Sequence, residues 1–189
     1  MANEAGPAWS IRLRGELNAA DQRAIALAES LTVQQLNWKP GPGQWSVGQC
    51  LDHLAVTNEI YGAAITEALP GAPPGPVDEI TLGWFSRLFI REFAAPSDRP
   101  MKKKAPPKIK PVPDVDATIL QRFLDTNRQS RELVERAKNV DVNHVRFKNP
   151  FVFWIRFTVG TGLEILTKHE QRHLQQAERV RHSALFPRA

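Results

Sequence analysis

Four stretches of the chain carry apolar residues at every third or fourth position, the spacing that gives an α-helix one hydrophobic face. They cover residues 9–35, 46–65, 115–137 and 161–180. The other segments lack the strict alternation of apolar and polar residues that is typical of a β-strand. Helices of this kind bury their apolar faces by packing side by side, so the pattern predicts an all-α protein built on four long helices.

Two of these helices have recognisable starts. Ser46 and Gln49 form a capping box, in which each side chain satisfies a free backbone amide of the first turn. Thr161 and Glu164 have the same spacing and predict the start of the fourth helix.

A chain of 189 residues has the usual size of one domain and can bury a substantial core, so we expect residues 1–189 to form a single unit. Residues 70–113 are rich in proline and predict an insertion between helices 2 and 3. Within the insertion, residues 81–93 predict a short extra helix that is apolar around most of its circumference. It is shorter than the roughly 20 residues that span a membrane. We expect it to pack over the other helices or to form a subunit interface.

The last part of the insertion, residues 99–110, places lysines at positions 102–104, 108 and 110 among prolines. We interpret it as a solvated linker. A contact with nucleic acid or with an anionic surface is the alternative.

The fourth helix carries His169 and His173 four residues apart, which places both imidazoles on one side of the helix. They continue the apolar stripe that includes Leu166 and Ala177, so we expect them to face the interior. A buried neutral imidazole needs a partner for each ring nitrogen, and one divalent metal ion would serve both residues. A pair of surface histidines is the alternative.

The run from His169 to His173 also has the H-E-x-x-H form of zinc peptidases, in which Glu170 would be the general base. The extended form of that motif fails here, because positions 176 and 179 are Gln and Arg, and His182 lies on the tail. We therefore place the third ligand upstream, at His53. A lone histidine at a helix edge is commonly structural, so His53 is a candidate ligand only because the chain also carries His169 and His173.

In these residues the chain resembles the DinB/YfiT-like superfamily. The resemblance rests on Trp45-Ser46 before a helix that contains Asp52-His53-Leu54, and on the later run of residues 169–180. Residues 144–153 also resemble the family's turn before its last helix. The motifs are short, but their order and separation are distinctive, and together they cover most of residues 9–181.

The resemblance implies an antiparallel four-helix bundle with a metal ion held by His53, His169 and His173. It implies a metal-dependent hydrolase, with Glu170 as a proton shuttle if its side chain turns inward. Two alternatives remain: a metal-dependent thiol S-transferase that acts with a low-molecular-weight thiol, and a non-catalytic interaction domain stapled by metal. Whether the chain is an enzyme is left open, and a homodimer is expected.

Three imidazoles on a divalent ion leave coordination positions free, as in catalytic zinc sites, and such an ion lowers the pKa of bound water toward about 7. Imidazole binds Zn, Ni, Cu and Fe, so the ligand set does not fix the metal. We expect zinc or nickel, and a small-molecule substrate.

Charge and cysteine content change this picture little. The 25 Lys and Arg exceed the 20 Asp and Glu by five, but no nucleic-acid motif accompanies the excess, so a nucleic-acid partner is not expected. The single cysteine, Cys50, excludes an internal disulfide. Because the sequence shows neither a signal peptide nor a long apolar stretch, we expect a cytoplasmic protein with no membrane partner.

Overall fold

The computed structural model describes residues 6–97 and 105–188, and in these residues it contains six α-helices and one two-stranded sheet. The helices are α1 (Ala8–Ala28), α2 (Val33–Asn37), α3 (Val47–Ala68), α4 (Trp84–Phe89), α5 (Ile119–Ala137) and α6 (Val159–Arg181). A π-helical turn, Ile90–Ala94, follows α4, and a 3-10 turn, Pro107–Ile109, lies before α5. Strands β1 (Arg146–Lys148) and β2 (Arg156–Thr158) form an antiparallel hairpin before α6. The mostly helical architecture predicted from the sequence is confirmed.

The predicted first helix is two helices. The α1 helix ends at Ala28, and Thr32 starts α2 with a capping box in which Gln35 is the reciprocal residue. Thr32 caps the first turn of a new helix, because its hydroxyl accepts a hydrogen bond from the Gln35 amide. The apolar spacing continues across this break and therefore hides it.

The predicted start of α3 is confirmed, whereas the predicted start of α6 is not. Ser46 and Gln49 form the predicted capping box of α3. The cap predicted at Thr161 is wrong: α6 begins two residues earlier, and its N-cap is Thr158, whose hydroxyl accepts from the Thr161 amide. Both threonines have a polar residue three positions downstream, so the pattern alone favours the wrong one.

The strands of the β-hairpin have no counterpart in the sequence prediction, which has only a turn at residues 144–153. Each strand has only three residues, and only Phe147 and Phe157, which lie opposite each other, are buried. Three residues are too few to show a period of two convincingly.

The four long helices, α1, α3, α5 and α6, bury two separate apolar clusters with a polar layer between them. One cluster contains Leu13, Leu17, Tyr61, Ile65, Leu133, Val134, Leu163 and Leu166. The other contains Ala24, Leu27, Cys50, Leu51, Phe123, Leu174 and Ala177. Buried polar side chains occupy the middle of three of these helices: His53, Thr57, Asn58, Thr126, Asn127, Ser130, Glu170 and His173. The candidate site residues belong to this layer.

The order of the clusters along each helix gives the helix directions. Helices α1 and α6 pass from the first cluster to the second, whereas α3 and α5 pass from the second to the first. Each of α1 and α3 packs mainly against α5 and α6. The expected antiparallel arrangement therefore describes the α1/α5 and α3/α6 neighbours, while α3/α5 and α1/α6 run in the same direction. Because parallel neighbours need a crossover, the chain must return along the length of α3 before α5 can start.

That return is made by the proline-rich segment. The short helix predicted at residues 81–93 appears as α4 and the π-helical turn, which bury Ile90 and Ala94 but leave Trp84 exposed. Residues 98–104, which include the lysines at 102–104, lie outside the described residues. Within the described chain, no helix has both the length and the apolar character needed to cross a membrane.

Close packing of the crossover against α3 predicts unequal effects for two glycines of that helix. A Cβ atom on Gly48 would lie 2.3 Å from Val115 Cγ2 and 3.0 Å from the Leu36 carbonyl oxygen, whereas one on Gly62 would meet nothing within 4 Å. We expect Gly48→Ala to lower the free energy of unfolding by about 1–3 kcal/mol through overpacking. Gly62→Ala, the matched control, should be neutral or stabilising by up to about 1 kcal/mol. Urea unfolding measures both, and equal effects would contradict the packing described here.

Candidate metal centre

The polar layer brings three histidines together. His53 comes from α3, and His169 and His173 lie one turn apart on α6. One ligand nitrogen from each ring lies within 4.8 Å of the others, and the ring centroids are 4.5–5.0 Å apart. His53 and His173 are buried and His169 is half-buried. Because α3 and α6 are antiparallel neighbours, residues 116 positions apart in the chain can meet in this way.

A backbone carbonyl fixes the tautomer of His53. Its Nδ1 lies 2.6 Å from the carbonyl oxygen of Ile109. A carbonyl oxygen only accepts, so Nδ1 carries the proton, and the lone pair of the neutral ring is on Nε2.

The other two rings are held in a similar way. His173 Nδ1 lies 2.9 Å from Gln176 Oε1, one turn further along α6. The backbone of Phe93 hydrogen-bonds to the His169 ring and acts to raise its pKa, the effect of an accepting carbonyl. Each imidazole therefore gives its one proton to an outer partner and is left with one lone pair.

Those lone pairs meet. Nε2 of His53 and Nε2 of His169 are 2.9 Å apart. With both ring protons already donated, no hydrogen remains for this contact, and two lone pairs at that distance repel each other. A divalent cation removes the repulsion, since each nitrogen then donates its lone pair to the metal. The three histidines therefore form a site that can hold a metal ion.

Burial keeps the three rings neutral, which is the form that binds metal. Burial lowers the pKa of His53 to about 4. It also lowers the pKa values of His169 and His173 well below the usual value, and the neighbouring imidazoles add to this depression.

One wall of the site is aromatic. The indole of Trp45 lies 4.8 Å from the His53 ring and is stacked on the His173 ring at 5.5 Å, between centroids. Trp45 directly precedes the N-cap Ser46, so the start of α3 fixes its position. It covers two of the three ligands with apolar surface.

The crossover segment also contacts the part of α3 that carries His53. Asp52 accepts a hydrogen bond from the Val112 amide at 2.9 Å and a second from Arg122 Nη1 at 2.8 Å. Gln49 donates to the carbonyl oxygens of Val112 and Pro113 in addition to capping α3. These bonds fix the chain just after Ile109, whose carbonyl orients His53.

Glu170, the predicted catalytic residue, is buried in the polar layer but is not part of the three-histidine cluster. Its Oε1 accepts a hydrogen bond from Asn58 Nδ2 at 2.8 Å. The other Glu170 oxygen, Oε2, and Asn58 Oδ1 are both buried without a hydrogen-bond partner. Burial raises the pKa of Glu170 to about 8. Because burial disfavours the charged form, the carboxyl is held in its neutral form near pH 7.

Two other residues weighed from the sequence lie outside the cluster. Cys50 is fully buried in an apolar cluster, and burial raises the pKa of its thiol to about 12. His182, the downstream residue considered for a peptidase, is exposed just past the end of α6.

No residue pattern predicts the hydrogen-bond partners of the three imidazole rings. Every residue has a backbone carbonyl, so the residue type at position 109 does not show that its carbonyl contacts His53. Gln176 looks like an ordinary polar residue of an amphipathic helix. Asp52 could have been singled out, because an acidic residue beside a candidate ligand on the buried side of a helix needs a partner.

The sequence model of the DinB superfamily matches residues 16–177, a span that includes all three histidines. The chain belongs to the DinB superfamily. It is 26% identical over 155 residues to the uncharacterized protein YuaE of Bacillus subtilis (strain 168), a match that covers 81% of this chain and 87% of YuaE. No solved structure matches the chain. The resemblance found in the sequence is thus confirmed at the level of the superfamily.

The neutral Glu170 predicts a particular dependence of stability on pH. Its pKa in the folded protein, about 8, lies above the ordinary value of 4.5. Between these values the unfolded chain loses the proton and the folded protein keeps it. The contribution of Glu170 to the free energy of unfolding is therefore complete below pH 4.5. It declines by up to about 1.4 kcal/mol per pH unit until the pH reaches 8.

Glu170→Gln removes the titration and keeps an amide near Asn58. In urea unfolding of metal-free protein from pH 5 to 9, the variant should become more stable relative to the wild type as pH rises. Glu132→Gln, at an exposed position on α5, is the control and should show a constant difference. A constant difference for Glu170→Gln as well would contradict a neutral buried carboxyl.

Proposed function

We propose that this protein is a metal-dependent hydrolase whose divalent ion is bound by His53, His169 and His173, with zinc or nickel as the ion. One observation carries the proposal: Nε2 of His53 and Nε2 of His169 lie 2.9 Å apart, and each of the three rings has an outer acceptor for its proton. A structural layer of histidines would instead hydrogen-bond its members to one another. The donor set, three neutral imidazole nitrogens, suits these ions.

A divalent ion bound by three neutral ligands keeps its full charge, and it supplies Lewis acidity toward a carbonyl group and toward water. The protein's own groups set the conditions for this. The carbonyl oxygen of Ile109 and the amide oxygen of Gln176 orient the rings and raise their basicity. Trp45 excludes water from the His53 and His173 side. His169 is the most accessible of the three, so we place the approach of substrate on its side.

The substrate that we propose is a small molecule. Besides Trp45, two chain segments contact the ligands: the π-helical turn Ile90–Ala94, through Phe93, and the 3-10 turn Pro107–Ile109. Both belong to the crossover between α3 and α5. We infer that this crossover, rather than the four long helices, determines which substrates reach the metal.

The catalytic role of Glu170 stays a prediction. Its hydrogen bond to Asn58 and its raised pKa favour a structural role within the polar layer. Kinetics of Glu170→Gln separate the two roles, because loss of a general base lowers kcat by about a hundredfold or more while metal content stays unchanged.

Thiol S-transfer with a low-molecular-weight thiol and a non-catalytic metal staple remain the alternatives. The homodimer, the cytoplasmic location and the four-helix-bundle classification also stay predictions. A staple differs from a catalytic site in its response to metal removal, because a staple contributes a large part of the folding free energy.

Metal analysis of untagged protein tests the site itself. We expect about one zinc or nickel ion per chain, as for other three-histidine sites. His53→Ala, His169→Ala and His173→Ala should each lower the occupancy about tenfold or more, because removal of one ligand leaves only two. His182→Ala and His144→Ala replace exposed histidines and serve as controls that retain the metal. Full occupancy in His53→Ala would refute the ligand set.

Activity measurements on the same proteins test the hydrolase proposal. A panel of ester, amide and thiol-transfer substrates should yield a hydrolysis that disappears on chelation and returns when metal is added. His53→Ala should lack that activity, and His182→Ala should retain it. Thiol-dependent turnover without hydrolysis would favour the S-transferase. A large fall in Tm on chelation, with no turnover, would favour the staple.

A further inference from the structure

The turn of the β-hairpin is an exposed apolar segment. Residues 150–155 read Pro-Phe-Val-Phe-Trp-Ile, without a charged or hydrogen-bonding side chain except the indole N–H. Phe153 is 79% exposed and Trp154 is 73% exposed, and their rings meet edge to face with centroids 4.8 Å apart. Two adjacent aromatic side chains at such exposure are costly in water and mark a contact surface.

Cations border this segment. Arg146, Lys148 and Arg156 are exposed on the hairpin. They point to its outer face, because Phe147 and Phe157 between them are buried. Within the described residues, no ion pair joins any of the three to an acidic group. Lys148 and Arg156 lie directly opposite each other in the strand register, an arrangement of like charges that destabilises a hairpin.

Helix α4 packs beside strand β2 and carries two more exposed aromatic side chains. Phe85 stacks beside Phe157 with centroids 6.1 Å apart, and Phe85 and Trp84 are 42% and 78% exposed. Helix α4 therefore adjoins the hairpin and adds aromatic area beside it.

We propose that the hairpin turn is a docking surface for an anionic lipid bilayer. Phe153 and Trp154 enter the interfacial zone of the lipid, and Arg146, Lys148 and Arg156 contact headgroup phosphates. The contact lies on the membrane surface and needs no spanning helix. It revises the expectation that the protein has no membrane partner, and it does not depend on the metal.

Two features favour lipid over a single-stranded nucleic acid, which also binds aromatic and basic residues. Successive bases of a single strand stack on parallel aromatic platforms, whereas the rings of Phe153 and Trp154 are nearly perpendicular, at 83°. The half-buried Val152 adds apolar area beside the two exposed rings, and Trp is a residue typical of membrane interfaces. The few charges and two aromatics give a weak, reversible attachment.

Sedimentation of the full-length, metal-loaded protein with vesicles tests the proposal. We expect binding to phosphatidylcholine vesicles that contain about a quarter phosphatidylglycerol, and about tenfold weaker binding to phosphatidylcholine alone. The double variant Phe153→Ser/Trp154→Ser should reduce binding to the anionic vesicles about tenfold or more. Leu185→Ser is the matched control, because Leu185 is 77% exposed elsewhere on the surface, and it should bind like the wild type.

A second pair of variants separates a local site from general attraction to a basic protein. Lys148→Glu/Arg156→Glu and Arg128→Glu/Arg136→Glu change the net charge equally, and all four positions are exposed. Only the hairpin variant should lose binding. The three double variants and the single variant all replace exposed side chains, and circular dichroism tests whether each is folded.

Three results would overturn the proposal. Equal losses in the two charge variants, with no loss in Phe153→Ser/Trp154→Ser, would show non-specific attraction. Binding of a labelled oligouridylate that fails in the same hairpin variants, without vesicle binding, would assign the surface to nucleic acid. A dimer in light scattering that Phe153→Ser/Trp154→Ser dissociates, again without vesicle binding, would assign it to a second copy of the chain.

Discussion

The site depends on where three imidazole protons go. Each ring lies in the polar layer between two apolar clusters, and each donates its proton outward. Because the rings are neutral and their protons are committed, their lone pairs have to face one another. Without a cation, this arrangement combines desolvation with repulsion. With one, the same arrangement provides three oriented ligands, so folding and metal binding contribute to a single free energy.

The topology explains why the outer partners come from the crossover. Helices α3 and α5 run in the same direction, so the chain between them must travel back along the helices. On its way it passes the three histidines twice, at Phe93 and at Ile109. The proline-rich segment is thus a necessary connection that also completes the site.

The helices and the shared face of His169 and His173 can be predicted because both follow from side-chain spacing. His169 and His173 share a face by the helical period, and Ser46 starts α3 by its hydroxyl. Elements that depend on tertiary context were missed. The hairpin is too short to show its period, Thr158 and Thr161 compete as caps, and helix direction has no local signature. The partners of His53 and His169 are main-chain atoms, which no residue pattern encodes.

The bond between His53 and the carbonyl of Ile109 has a further consequence. Every amino acid possesses a carbonyl, so the orientation and proton-binding state of the ligand do not require a particular side chain at that point. The 3-10 turn can therefore exchange its side chains while the coordinating ring stays in place. A protein built this way can acquire a new specificity by point substitution, whereas a change in the length of the turn would disturb its chemistry.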